Sequence, residues 1–379
     1  MNADLDMMEW EHWTQWGLID SAEDLLAAAL ITLVLLPLVH ATRGLRAGRL
    51  LQAPSGWFGL VWSAMHRLGQ QEHGRGMKPM FKMAVFCLTH ARLASHWLRF
   101  LQRPELRTLV ASQPRLLDKI QRPYLNRHWR PAQRARALVT HYEWMFSQLQ
   151  LRTIIDLYAG RPLLLARLTG RGGVQVTSLW LEHASHQERE GELALTLRSS
   201  LAAHVAHEHP EGAGPRGTLM ATLVFSITEE HGHLHLGIGC VQGSQLAGLS
   251  AFRELTKSMH GLRPKAMLVW AAQLCAQHWG VSVRGIAAHA HPFTSLRYRV
   301  SRRKRATLRH IGDSYHPLWD ESGGVAHPGG WYTLPDRPRI KTREEVASDK
   351  RSLYERRGAM QHDLQAQMSA TLDGIRQHA

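Results

Sequence analysis

The chain has 379 residues, 44% of them hydrophobic, which leaves room for two or three domains with a sizeable core and excludes a wholly disordered chain. A formal net charge of +15 points to an anionic partner. Three widely spaced cysteines, Cys87, Cys240 and Cys275, exclude a disulfide framework and a paired-cysteine zinc knuckle, and fit a reducing compartment.

The first 24 residues carry seven acids and no Lys or Arg, so an ordinary secretory signal, which opens on basic residues, is excluded. Residues 25–41 form a mostly apolar run of 17, interrupted by Thr32, Pro37 and His40, just short of the ~20 residues that a spanning helix needs. Two readings stay open: a buried or interfacial helix, or an anchor whose following Arg43, Arg46 and Arg49 would keep the rest of the protein on the cytoplasmic side. Residues 42–140 hold 18 basic residues against three acids. Within them, residues 57–158 read as helical, with one long helix over 80–101 and another from Pro131 through 132–158. In the latter, Leu138, Tyr142, Met145, Phe146 and Leu149 form an apolar stripe, with Arg134, Arg136 and Arg152 between them.

The pattern changes after the breaker at 170–173. Strands are expected over 174–181 and 192–197, where Leu193, Leu195 and Leu197 share a face, and over 218–228 and 234–241, joined by a turn at His231-Gly232-His233. A helix with Leu246, Leu249, Phe252, Leu255 and Met259 in register follows. Pro264 opens a second helix, apolar nearly all round, that ends at Gly280, and a strand runs over 281–287. Residues 343–376 are mostly strong helix formers. Strands, then strand–helix–strand, indicate an α+β protein: an N-terminal helical region, a mixed β-sheet domain and a C-terminal helix. The corresponding divisions are 1–56, 57–160 and 161–379.

Three constellations could carry chemistry. In Gly261-Leu262-Arg263-Pro264-Lys265, a helix N-terminus offers free N–H groups and a positive dipole end, and Arg263 and Lys265 add charge there. The preceding Gly237–Gly243 stretch lets backbone approach a ligand closely, and the alternative is a plain loop with solvated cations. The histidines alternate at 231, 233 and 235, yet no metalloenzyme spacing occurs and no metal is expected. Residues 297–309, with seven cations and no acid, suit a solvated loop or an anionic lipid surface. Tyr298 is the only aromatic there, too few for single-strand stacking, and no nucleic-acid partner is expected. No nucleophile elbow, phosphate-binding P-loop or kinase set is present. The sequence carries no signal for oligomeric state.

Several strings occur in a telling order: Glu190-Gly191-Glu192-Leu193, then Leu223-Val224-Phe225-Ser226, then Gly239-Cys240-Val241-Gln242-Gly243. Leu255 to Lys265, with Lys257, His260 and Gly261, comes next, then Trp319-x-Glu321-x-Gly323-Gly324, and Lys350-Arg351-Ser352-x-Tyr354-x-Arg356-Arg357. Together they resemble the VirK/YbjX family of bacterial proteins over residues 80–365. The resemblance implies a cytoplasmic protein linked to envelope integrity, virulence and resistance to antimicrobial peptides; the apolar run at 25–41 and the basic surface add the expectation of a peripheral or anchored place at the inner membrane. It brings no agreed activity and no catalytic residue. The family's Asp-Tyr-Asp is here replaced by Asp313-Ser314-Tyr315, and Asp349 stands where a second lysine is common.

The strand order and the glycine loop before a buried helix also look like an N-acetyltransferase (GNAT) core, an analogy at the level of fold. It implies an acyl-CoA or acyl-carrier donor held by Gly239, Gln242, Gly243, Lys257, Gly261, Arg263 and Lys265, with His260, Tyr315 and Glu321 as candidate acid–base groups. An envelope precursor or the anionic membrane surface would be the partner. The other class of function is a non-enzymatic accessory protein that docks anionic lipid or a protein partner.

Overall fold

A computed structural model describes residues 57–70, 77–169, 175–200, 213–214, 216–244, 247–294, 315–338 and 344–377. The apolar run at 25–41 and the basic run at 297–309 lie outside them. No helix of the described residues is long and apolar enough to cross a membrane. The chain divides into two compact units, Met1–Arg122 with Arg130–Arg136, and Pro123–Trp129 with Ala137–Ala379.

The described part of the first unit is built on helices α1 (Trp57–Gln70), α2 (Met77–Thr89), α3 (Ala91–Phe100) and α4 (Pro104–Ser112). Proline opens α4, where its missing N–H costs nothing. Met65, Met83, Trp97, Leu98, Leu106 and Leu109 fill the core, and the Trp97 indole donates to the Leu117 carbonyl at 3.2 Å. The single helix expected over 80–101 is two. His90 leaves helical geometry (φ −134°, ψ 46°), and the Thr89 hydroxyl turns back onto the Val85 carbonyl at 2.9 Å while meeting His90 Nδ1 at 2.8 Å.

In the second unit, α5 (Pro131–Gln148), whose first turns belong to the first unit, leads to α6 (Leu151–Tyr158). The sequence reads these two as one helix. The interruption comes from far along the chain: Gln150 N–H donates to the Ile375 carbonyl at 2.9 Å, and its side-chain amide reaches the carbonyls of Gly374 and Arg376. The strands are β1 (Leu163–Thr169), β2 (Gln175–His183), β3 (Leu193–Ser199), the two-residue β4 (Ala213–Gly214), β5 (Gly217–Glu230) and β6 (His233–Gly243). Helices α7 (Gly248–Ser258) and α8 (Pro264–Trp279) cross over to β7 (Ser282–Ile286). A helix over 315–321, α9, precedes β8 (Val325–His327) and β9 (Trp331–Leu334), and α10 (Arg351–Gly374) closes the chain.

The strands make one nine-stranded mixed sheet in the order β1-β2-β3-β5-β6-β7-β9-β8, with β4 beside β5. Only β6 and β7 pair in parallel, because α7 and α8 carry the chain back between them. His231 and Gly232, both at positive φ, form the tight turn between β5 and β6. Pro264 opens α8, and Gly280 ends it in the left-handed conformation. The architecture is therefore α+β, with a strand–helix–strand crossover inside a mostly antiparallel sheet.

Alternation gives the sheet two unlike faces. Leu179, Leu181, Leu193, Leu195, Leu197, Leu223 and Phe225 share one face through directly opposed pairs, and each is fully buried. Helix α8 packs across β3, β5, β6 and β7, with Trp279 at 6.0 Å from Phe225, and α10 packs on β1 and α8. The opposite face carries Arg167, Ser178 and Arg198 in one cross-strand row. Trp180, Thr196, Thr222 and Gln242 form the next row, and Glu182, Ala194, Val224 and Cys240 the third.

Candidate functional site

Pairing of β6 with β7 ends at Ile238 and Gly285, while β6 continues to Gly243 beside β5 alone. At that point the β5–β6 register slips by one residue, so Gly239 is an extra residue in β6. Helix α9 lies against the same place. The Trp319 ring covers Gly285, where an added Cβ would fall 2.6 Å from it, and its indole donates to the Ile286 carbonyl at 2.9 Å. Tyr315, in the first turn of α9, is thereby brought beside β6.

Four side chains from four separate stretches converge there: Glu190 before β3, Cys240 on β6, His291 after β7 and Tyr315 on α9. None is more than 4% exposed. His291 Nδ1 accepts the Phe293 N–H at 3.2 Å, and its Nε2 lies 3.1 Å from Glu190 Oε1 without the alignment of a hydrogen bond. The Cys240 thiol lies beside both Glu190 and Tyr315, and the Tyr315 hydroxyl accepts the Val241 N–H at 3.2 Å. Burial first, then the charge on Glu190, pushes the Cys240 thiol well above its ordinary range. Burial likewise raises the Tyr315 phenol, with Cys240 and Glu190 adding to it. Both groups therefore keep their protons at neutral pH and act as hydrogen-bond donors or relays, not as standing anions. Half-buried Lys265, in the first turn of α8, is lowered mainly by burial, and its positive charge partly offsets the rise at Cys240.

Two residues along, Glu192 lies in a different setting. It is fully buried and meets only hydroxyls: Tyr142 donates to it at 2.7 Å, Tyr158 lies at 3.4 Å, and Tyr124 bonds to it as well. Its own N–H donates to Ser226 Oγ at 3.0 Å, and that hydroxyl lies 2.7 Å from Tyr124. Between the two glutamates, Gly191 presses on the next strand, where an added Cβ would lie 2.5 Å from the Phe225 carbonyl oxygen.

The other residues singled out in the sequence are distributed as follows. Arg263 caps α8 in extended geometry and forms an ion pair with Glu321, both more than half or about half exposed at 60% and 50%. The α8 N-terminus has no side-chain cap. His260 is buried at positive φ, and its carbonyl accepts two hydrogen bonds from Arg357, at 3.0 and 2.7 Å. Gly261 also lies at positive φ, where an added Cβ would meet the same guanidinium at 2.9 Å. Lys257 and Gln242 are exposed. The close backbone approach expected at Gly239 and Gly243 is made, but by the protein: the Glu190 carbonyl and Leu125 fill the space at Gly239, and the Phe252 ring fills it at Gly243. Glu190 and His291 were not among the acid–base candidates of the sequence. The one signal for Glu190 was the unusual Glu-Gly-Glu just before an apolar strand. Among the described residues no group of three or more His, Cys, Asp or Glu is placed to hold a metal ion. The three cysteines are free and buried.

A family model described as "protein of unknown function (DUF535)" matches residues 72–210 and 211–370. The chain belongs to the DUF535 (VirK/YbjX) family. Within it, the chain is 30% identical over 312 residues to the uncharacterized protein YbjX of Escherichia coli K12, covering 81% of this chain and 87% of that one. A second relative, an uncharacterized protein of Haemophilus influenzae, is 32% identical over 108 residues, 28% of this chain and 34% of its own. No solved structure matches. In this DUF535 chain, the Glu-Gly-Glu, Gly-Cys-x-Gln-Gly and Trp-x-Glu strings that carried the resemblance are the segments that build the buried cluster and its cover.

Proposed function

We propose that this DUF535 protein is an acyltransferase that takes an acyl-CoA or acyl-carrier donor and acts on an envelope component at the inner face of the membrane. The observation that carries the reading is the divergence of β6 from β7 at the Gly239 bulge. It lies beside a helix N-terminus bearing Arg263 and Lys265 and beside the buried cluster of Glu190, Cys240, His291 and Tyr315. Donor phosphates would lie at the uncapped start of α8, where the N–H groups, the dipole and two cations favour an anion. Arg263 would exchange Glu321 for phosphate, an exposed pairing that is weak in water and easily traded. Transfer in such a site is mostly positioning, and a proton leaving the acceptor would pass to the cluster of Tyr315, Cys240, Glu190 and His291. The envelope as place of action rests on the family resemblance.

Coenzyme A at millimolar concentration is expected to raise the melting temperature, and Arg263→Ala with Lys265→Ala to abolish that rise. No rise in the parent protein, or the same rise in the variant, overturns the reading.

A second reading, non-enzymatic docking to an anionic membrane, is favoured by one observation in the first unit. Residues 91–115 carry five arginines against the single acid Glu105, and Arg92, Arg99, Arg103, Arg107 and Arg115 are all exposed. Salt-sensitive sedimentation with phosphatidylglycerol vesicles that survives Arg263→Ala with Lys265→Ala supports it, and sedimentation no greater than with neutral vesicles rejects it.

A further inference from the structure

The polar face of the sheet, opposite α8, holds a cavity of about 270 Å³ at the β1–β2 end. Its lining includes Arg167, Ser178, Trp180, Ser200 and Arg216. Ser178 stands directly between Arg167 and Arg198 in one cross-strand row. Arg198 is already engaged, at 3.9 Å from Glu182 and 3.5 Å from the Gly217 carbonyl. Arg167 and Arg216, by contrast, make no ion pair among the described residues, and both are exposed. Two guanidiniums at one small cavity without a carboxylate form a site for a dianion, which each can grip with paired donors.

The rest of the lining narrows the ligand. Trp180 is half-buried, its indole N–H donates to Ser178 Oγ at 2.8 Å, and the Arg216 guanidinium lies 5.9 Å from its ring centre. An amphipathic ring beside hydroxyl groups suits a polyhydroxylated ring whose C–H face can rest on an aromatic. Directly opposite Trp180 on the same face, the Thr196 hydroxyl is buried without a hydrogen-bond partner. The volume is near the lower end of small-molecule sites, roughly 300 Å³ and above, which fits one sugar ring with a phosphate and not a dinucleotide.

We infer that this cavity binds a phosphorylated sugar, with the phosphate between Arg167 and Arg216, the ring against Trp180 and hydroxyl groups at Ser178 and Ser200. The site is separate from the start of α8 and stands whether or not that helix holds an acyl donor. The free metabolite and the headgroup of a phosphoglycolipid share this chemistry.

Calorimetric titration with glucosamine 6-phosphate, inorganic phosphate and glucosamine tests it. The phosphosugar is expected to bind at least about tenfold more tightly than phosphate alone, and glucosamine weakest. Arg167→Gln with Arg216→Gln should weaken both anions by more than about tenfold, whereas Trp180→Leu should reduce only the advantage of the phosphosugar. Arg167→Gln alone, an exposed change, covers the case in which the double variant does not fold. Vesicles doped with a phosphoglycolipid distinguish the sources: a headgroup site retains the parent protein and releases it to excess glucosamine 6-phosphate, and a free-metabolite site binds the soluble ligand only. Equal binding of phosphate and phosphosugar by the parent protein, or unchanged binding by the arginine variants, overturns the inference.

Discussion

Glu190 and Glu192 stand two residues apart, both buried, and meet opposite kinds of neighbour. Glu190 faces an imidazole, a thiol and, through Cys240, the field of a lysine. Glu192 faces three phenols and a serine-bound backbone. The difference separates two uses of a buried carboxyl group. One belongs to the cluster to which the proposed function assigns the acceptor's proton. The other is fixed by neutral donors that hold one geometry. Burial is tolerated at both because polar groups surround each carboxyl, but only Glu190 has an imidazole and a thiol among its neighbours.

The comparison can be broken most decisively at His291. His291→Ala removes a fully buried ring beside Glu190 and leaves a cavity there, and a loss of about 3–5 kcal/mol is expected from urea unfolding. Glu190→Gln in the same chain should recover part of it, since the uncompensated carboxylate is then gone. A loss below that of Tyr142→Phe would mean the two environments are not different in kind. Tyr142→Phe, which removes the 2.7 Å donor to Glu192, should cost about 1.5–3 kcal/mol.

Alkaline pH sharpens the contrast further. Burial, then the charge on Glu192, holds Tyr124, Tyr142 and Tyr158 well above the ordinary phenol value of 10.0. Their folded values are raised, so the folded state keeps protons that the unfolded chain gives up. The resulting stability is fully present below about pH 10 and is lost as pH rises through it. The urea midpoint of the parent protein should therefore fall more steeply above about pH 10 than that of Tyr142→Phe. Equal slopes would remove the phenols from the account. The smallest effect belongs to the surface: Glu321→Ala breaks an exposed ion pair and should shift stability by less than about 1 kcal/mol. Freed of its carboxylate, Arg263 should bind coenzyme A more tightly, and tighter binding with unchanged stability would locate the anion site at α8.

Much of the fold was legible because it depends on near neighbours. Leu193, Leu195 and Leu197 announce a strand face, Pro264 and Gly280 bracket α8, and His231-Gly232 marks the hairpin. The breaks at His90 and Gln150 were not. The first depends on a side chain returning to its own helix, and the second on carbonyls more than 200 residues away. Strand β1 was missed, as were the short β8 and β9, whose pairing partners, not their own pattern, make them strands. Of the site, Tyr315 was named on a weak signal and joins the cluster. Lys257 and Gln242 do not, because their helix and strand turn those positions to solvent.

By itself the sequence determined the central strands and helices, the α+β class and where charge concentrates, since periodicity and local geometry are properties of neighbouring residues. Only the tertiary structure decided that Glu190, Cys240, His291 and Tyr315 share one buried polar cluster. They lie 24 to 51 residues apart along the chain, in steps that no local pattern records, and it took the β6 bulge, the parting of β6 from β7 and the packing of Trp319 on Gly285 to bring them together. It likewise decided that the glycines expected to face a ligand face the protein, because close packing fills whatever space a missing side chain leaves.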